Sequence, residues 1–418
     1  MTNMKKLLLT SALISGFSAA ALADAPTITA GGKIDWKTAF THQKQSFQTA
    51  IDRHSRKQHM ETQNNVNIKA EGQTDFGMKY GAVVELGHDT RSTANSGKDV
   101  FFKDTFLFME SNMGRLELGS HAGASDTMKV DASNIARATG GVDGAFEDHV
   151  NSTVGYLDTG LGKRIAAQYI TAPNLPLTQS SQYARYNKVS YYTPEFSGLQ
   201  LGVSYAIDTG DNGNYRGLTS KFLELNDDND GVTPGSANNF SNAFEVGLKY
   251  KYQFDQVGLE LGATGQFASA QKVAPTVTVT TAKQLRSVKA YNVGGTLTYT
   301  NFSLSGSYGS WGKSTNTKQT EQYNHSSSRY YTLGGAYVQG PVGLSVTYLD
   351  SKRLMNKFHN ISVGADYQLA PGMLPYVEGN FFKYKPHAGA FLASTGGTAG
   401  DAKKNNGNVT FVGVKFMF

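Results

Sequence analysis

Residues 407–418 read GNVTFVGVKFMF, and their alternation decides the fold. In an extended strand Val412, Val414, Phe416 and Phe418 fall on one face, and Phe411, Gly413, Lys415 and Met417 on the other. A last strand that stops on an aromatic has no tail to cover the edge it exposes. It is therefore expected to pair with another strand.

Working back from that strand, the same period of two recurs throughout. In residues 27–41, Ile28, Ala30, Gly32, Ile34, Trp36, Thr38 and Phe40 share a face without charges, while Lys33, Asp35 and Lys37 share the other. The split returns at Val66, Ile68 and Ala70 against Lys69, Glu71 and Gln73, and at Leu199, Leu201, Val203, Tyr205 and Ile207 against Gln200, Ser204 and Asp208. Val342, Leu344, Val346 and Tyr348 repeat it. The chain resolves into about sixteen such segments, many longer than the five or six residues of an ordinary strand. Alternation also suits a soluble sandwich; the connections separate the two. Short turns at 75–77, 113–114, 197–198, 255–257, 340–341 and 371–372 contrast with long polar stretches at 43–60, 208–240 and 386–406. Short turns at one end and long loops at the other predict a transmembrane antiparallel β-barrel. Tyr191, Tyr192, Tyr250, Tyr252, Tyr330, Tyr331, Tyr376 and Phe382, near the strand ends, are expected to form its aromatic girdles.

Composition agrees with an all-β fold. Gly is 46 of 418 residues, Tyr 22, Phe 23 and Pro only 10, and there is no Cys. That excludes thiol metal sites, thiol nucleophiles and disulfides. Residues 1–23 have a basic start (Lys5, Lys6), an apolar stretch and the small-x-small site ending at Ala23. They read as an export signal cleaved after Ala23, leaving 24–418 as the mature barrel. Losing the two lysines lowers the formal charge from +6 to +4, too weak an excess to point to nucleic acid. Outside the leader no stretch approaches the ~18 apolar residues of a spanning helix. The nine histidines (His42, His54, His59, His88, His121, His149, His325, His359, His387) form no Ser/His/Asp or metal-ligand spacing, so no enzyme and no cofactor is expected. Residues 226–231 (NDDNDG) open like a calcium loop, but Ala237 stands where an EF-hand needs Glu, so a solvated acidic loop is the expectation. Lys403 and Lys404 read as a surface pair.

The leader, the segments NMGRLELG at 112–119 and NKVSYYTPEFSGL at 187–199, and the terminal Phe418 resemble a general porin of the Gram-negative outer membrane. The resemblance spans nearly the whole mature chain. It implies a barrel of sixteen strands, usually a homotrimer, with a third loop folded into the lumen. It also implies contact with outer-membrane lipid and lipopolysaccharide, and recognition of the Phe418 strand by the barrel-assembly machinery.

Here the third loop is expected over about 122–183, with 163–171 able to add a hairpin or an extra strand, making the count sixteen or eighteen. Residues 124–149 carry Asp126, Asp131, Asp143, Glu147 and Asp148 against Lys129 and Arg137, a net −3 that would attract cations if it lines a narrow pore. The family places bases on the wall opposite. The candidates are Arg115, Lys69 and Lys33, with Lys37, Lys79, Lys188 and Arg185, interspersed with Asp35, Glu71, Glu85 and Glu117. The expected function is passive diffusion of ions and small hydrophilic solutes, with weak cation preference and no chemistry. A channel selective for an anion or a sugar, and a surface adhesin or receptor barrel, are the alternatives.

Overall fold

The computed structural model describes residues 25–44, 57–89, 101–150, 154–158, 163–167, 169–178, 185–209, 240–270, 286–316, 326–387 and 404–418. The leader with Ala23, residues 226–231, Lys403, His54 and His325 lie outside them. The strands are β1 (Thr27–Gln43), β2 (Gln58–Gln73), β3 (Lys79–Asp89), β4 (Phe101–Ser111), β5 (Gly114–Ser120), β6 (Val154–Asp158), β7 (Lys163–Ala167), β8 (Asn187–Tyr192), β9 (Leu199–Asp208), β10 (Phe240–Phe254), β11 (Val257–Ala270), β12 (Val288–Tyr299), β13 (Phe302–Gly312), β14 (Ser328–Gln339), β15 (Val342–Arg353), β16 (Asn356–Tyr367), β17 (Met373–Lys385) and β18 (Asn405–Met417). Sixteen close into one antiparallel barrel, while β6 and β7 form a separate hairpin within the third loop. The extra hairpin expected over 163–171 thus exists but adds nothing to the wall.

Closure happens where the terminal alternation requires it. β18 lies between β17 and β1, with Trp36 opposite Val414 and Ile34 opposite Phe416. Phe418 finishes the seam: its carbonyl accepts from the Gly32 amide at 2.9 Å and its amide donates to the Gly32 carbonyl at 3.1 Å. A Cβ at Gly32 would come within 2.9 Å of the Phe418 ring, so glycine there makes room for the terminal aromatic. With no edge left, every wall strand pairs on both sides, the condition for a strand to cross lipid.

The two faces separate cleanly. Ile28, Trp36, Leu201, Val203, Leu297, Leu333, Val346 and Ile361 stand exposed on the outside, whereas Asp35, Lys37, Glu61, Glu245 and Glu378 are buried inside. Apolar outside and polar inside is the pattern of a barrel solvated by lipid. Tyr191, Tyr252 and Tyr331 stand exposed on the outer face, as expected of a girdle, but Tyr192, Tyr330, Tyr376 and Phe382 are buried inside. Neighbours such as Tyr191 and Tyr192 must point to opposite faces of one strand, so a Tyr-Tyr pair supplies only one girdle residue.

The short connections β2–β3, β4–β5, β8–β9, β10–β11, β12–β13, β14–β15 and β16–β17 share the end that holds both termini of the barrel. Positive φ at Gly77, Ser197, Gly198, Asp255, Thr300, Gly340 and Gly372 bends the chain there. The opposite end has one tight turn among its longer loops. Leu354 and Met355 join β15 to β16 with φ of 48° and 68°, without a glycine to announce the turn.

Candidate functional site: the third loop and the wall it faces

Between β5 and β8, residues 121–150, 169–178 and 185–186 turn into the lumen and travel along its wall. The root of this loop is a buried polar network. His121 Nδ1 donates to the Gly119 carbonyl at 3.0 Å, leaving Nε2 to accept from the Ser190 hydroxyl at 2.7 Å. Ser190 and Ser204 hydroxyls lie 2.7 Å apart, and Ser204 Oγ accepts from the Ala124 amide at 2.8 Å. Burial, with the Lys188 charge beside it, holds His121 down at about 4, so its Nε2 remains an acceptor at neutral pH. Glu245 anchors the other side of the root, accepting from Ser125 and, at 2.8 Å, from the Tyr186 hydroxyl, and pairing with Lys188 at 3.4 Å.

From the root the loop lies on small inward residues of successive strands. A Cβ at Gly247 would meet Met128 Sδ at 2.8 Å and the Ala124 carbonyl at 2.9 Å. One at Gly262 would meet Val130 Cγ2 at 2.7 Å, and one at Gly294 would fall on the Val130 carbonyl. Ser305 donates to the Asp131 carbonyl at 2.9 Å, Thr332 accepts from the Ala132 amide at 3.2 Å, and Ser345 accepts from the Arg137 amide at 2.9 Å. Farther along, Asp366 takes two hydrogen bonds from the Arg137 guanidinium at 2.9 and 2.7 Å. Glu378 accepts from Thr139 through amide (2.9 Å) and hydroxyl (2.6 Å). His149 ends the lap 3.3 Å from Glu61 of β2, with its ring edge-on to Phe411.

The chain then comes back over its own path. Ser351 donates to the Ile170 carbonyl at 2.5 Å, Trp311 Nε1 to the Asn174 carbonyl at 2.9 Å, and Gln266 accepts from the Leu177 amide at 2.8 Å. Phe146, Tyr169, Trp311, Phe358, Phe382 and Tyr384 close into an apolar cluster behind it. The loop's helical turns pack on β8–β11 and β13–β16. The wall they face across the lumen is the inner surface of β1–β5.

The expected acids are not equivalent. Asp131 is fully buried; it caps the turn at 132–135 by accepting from the Ser133 amide at 2.7 Å and pairs with Lys129 at 3.1 Å. Asp126 pairs with Arg185 at 3.3 Å. Asp143 keeps 33% of its side chain exposed, 3.8 Å from Lys129. Burial pushes its carboxyl up to about 6, against the pull of Lys129. Burial likewise raises Glu147 to about 7 despite a hydrogen bond with Thr171. Asp148 is exposed.

The bases divide by level. Arg115 lies just past the turn at 113–114, held between Glu117 (2.7 Å) and Glu110 (2.8 Å), at the rim of the turn end. Lys79 begins β3 opposite Gln73, at the same rim. Lys69 pairs with Glu71 above the Phe108 ring. Lys37 and Lys188 are fully buried, Lys37 against Glu61 at 3.1 Å and Asp35 at 3.5 Å. Lys33 and Arg185 belong to one belt: Lys33 opposite Asn65, Asn65 donating to Glu85 at 3.0 Å, Lys103 on Glu85 at 2.7 Å, and Arg185 linking Asp104 (2.6 Å) to Asp126 on the loop. Lys103 and Asp104 are absent from the sequence reading. The β3–β4 register shifts between Glu85 and Leu86, and such an irregularity breaks the alternation from which a face is read. Charges of both signs therefore line a water-accessible belt facing an acidic loop, an arrangement suited to hydrated ions rather than to covalent chemistry.

The comparisons agree with this geometry. A relative from Rickettsia conorii is 29% identical over 370 residues, covering 81% of this chain and 80% of the relative, and one from Rickettsia bellii is 27% identical over the same span. The fold matches an anion-selective porin from Comamonas acidovorans (17% identical, TM-score 0.57) and an engineered Rhodopseudomonas blastica porin (16% identical, TM-score 0.54). Each match covers 94% of this chain and 100% of the other. The family model for the Gram-negative porins matches residues 10–387, and the chain belongs to that family.

Proposed function

We propose that this outer-membrane porin passes hydrated ions and small hydrophilic solutes by passive diffusion, with a weak preference for cations. The observation that carries the reading is the acidic third loop seated inside a closed barrel, opposite a belt in which Lys33, Lys103 and Arg185 alternate with Glu85 and Asp104. Asp143 and Asp148 face water on that loop, while Lys129 and Arg137 are tied into ion pairs. Small solutes keep their hydration shells, so no dedicated binding site is required.

The test is single-channel recording in a planar bilayer under a salt gradient. Because Asp143 is held at about 6 and Glu147 at about 7, the loop gains negative charge as pH rises through that range. The neutral forms are the ones folding favours, so these two groups stabilise the loop fully below the ordinary carboxylate range and lose that contribution as pH passes 6–7. Cation preference is therefore expected to grow between pH 5 and pH 8, and Asp143→Asn is expected to flatten the rise. A preference that is constant over this range, or an anion preference, would refute the assignment; the latter would favour the selective channel.

The same proposal includes export with cleavage after Ala23, assembly as a homotrimer and recognition of the Phe418 strand by the assembly machinery. An outer-membrane fraction is expected to hold a chain beginning at Asp24 that migrates as a trimer until heated, and deleting Phe418 is expected to deplete it. Undiminished trimer after that deletion would remove the assembly role.

A further inference from the structure

At the turn end of the lumen, below the stretch of wall that the third loop covers, a concavity of about 770 Å³ opens on β10–β12 and on the turn joining β8 to β9. That volume falls within the roughly 300–1,000 Å³ of small-ligand sites. Its polar lining comes from Glu195, Lys251, Gln253, Glu260, Thr296 and Thr298. Glu195 belongs to the turn; the other five share, by alternation along their strands, the inner face that carries Glu245, Gln266 and Asn292.

The concavity is built from both wall and loop. Thr296 donates to Ser305 Oγ at 2.8 Å, and Ser305 donates on to the Asp131 carbonyl at 2.9 Å, so the third loop forms the ceiling. The floor stays open because Gly258 has no side chain: a Cβ there would come within 2.8 Å of Gln253 Oε1 and 3.6 Å of Thr298 Cβ. Gln253 donates its amide N–H to the Asp255 carbonyl at 2.8 Å, which keeps its Oε1 turned toward Gly258 as an acceptor.

The charges divide unevenly. Glu260 is taken by Lys249 at 2.9 Å. Lys251 and Glu195 are exposed, and among the described residues neither has an ion-pair partner. The Lys251 amide donates to the Gly198 carbonyl at 2.8 Å, bringing this cation alongside the turn that carries the acid. Across the same rim Arg115 is instead clamped by two carboxylates. A simple anion entering the concavity meets Glu195, and a simple cation meets Lys251; only a solute carrying both charges, held apart, satisfies the two together.

We propose that this concavity binds short zwitterionic peptides of dipeptide size. The carboxylate is held by Lys251, the ammonium by Glu195, and the peptide group by Gln253 Oε1 and the Thr298 hydroxyl. Two extended residues span about 7 Å, a reach that a single amino acid lacks. The inference rests on the porin reading, since solute reaches the turn end through the lumen, and it adds a halting point to free diffusion. Both charges face water, so retention is weak, on the order of millimolar.

The test is concentration-dependent block of single-channel current by glycylglycine, with glycine, acetylglycine and glycinamide as probes of the separate charges. Wild type is compared with Lys251→Gln, Glu195→Gln, Gly258→Val and an outer-face control, Lys357→Gln. Saturable block by glycylglycine is expected in wild type and in the control. It should weaken about fivefold or more in each of the other three, Gly258→Val acting by filling the floor without touching a charge. Block by glycine, acetylglycine or glycinamide as strong as that by glycylglycine overturns the proposal, as does equal block of Lys251→Gln or Glu195→Gln. Swelling of loaded vesicles in an uncharged polyol reports on the porin reading separately. A wild-type channel that admits the polyol without saturable block by glycylglycine overturns the peptide site alone, whereas a barrel that admits neither overturns both.

Discussion

Lys188→Met is expected to destabilise the folded protein by about 3–5 kcal/mol, because it leaves the Glu245 carboxylate buried without its cation. The pair sits at 3.4 Å with both side chains essentially inaccessible to water. Among the described residues, only the Tyr186 and Ser125 hydroxyls would remain to hold the charge. Neutralising both partners, as in Lys188→Met with Glu245→Gln, is expected to recover much of the loss, since removing a buried pair together avoids stranding a charge. Urea unfolding from lipid vesicles checks this, and the two tryptophans help to localise it. Trp36 stands on the lipid face, whereas buried Trp311 donates to the Asn174 carbonyl of the third loop. Loosening at the root is expected to reach Trp311 emission at lower urea than Trp36 emission. An unchanged midpoint for Lys188→Met would mean that the network at the root does not hold the loop.

The barrel was legible in the sequence because a wall between lipid and water imposes the same choice at every second residue. Ile34, Trp36 and Phe40 against Lys33, Asp35 and Lys37 needs no tertiary information, and the strand ending at Phe418 calls for a partner strand without saying which. The lumen was far less legible, for three physical reasons. A charge known to face inward still has an unknown height: Arg115 is adjacent to a turn and stays at the rim, whereas Lys33 joins the belt. An acid in the loop has two uses, and Asp131 is consumed by capping a turn while Asp143 meets water. Finally, glycine in a strand reads from sequence as a weakness. Gly247, Gly262 and Gly294 are instead the floor on which the third loop lies. That function exists only once a distant segment has been placed against them.

Because the loop rests on this floor, the channel's aperture is expected to depend on residues hidden behind the loop, which leads to the second large effect. Gly294→Val is expected to lower unit conductance and make it noisier. The new Cβ would fall on the Val130 carbonyl and come within 2.9 Å of Ser307 Cβ and 3.0 Å of the Gly306 carbonyl. Relieving about 1–3 kcal/mol of overpacking requires something to move. β12 is held by ladders to β11 and β13 on both sides, so the loop gives way. Pinned on one side by Ser125 and Ala124 and on the other by Asp366 and Glu378, it can leave the wall only toward the pore axis. Gly335→Val makes the same chemical change on the lipid-facing side of β14, where a Cβ meets only the Ser303 carbonyl at 3.9 Å. It is expected to leave conductance unchanged. Equal currents through both variants would show that the glycine floor has no part in setting the aperture. A drop confined to Gly294→Val would show that the pore is dimensioned from behind its own constriction loop.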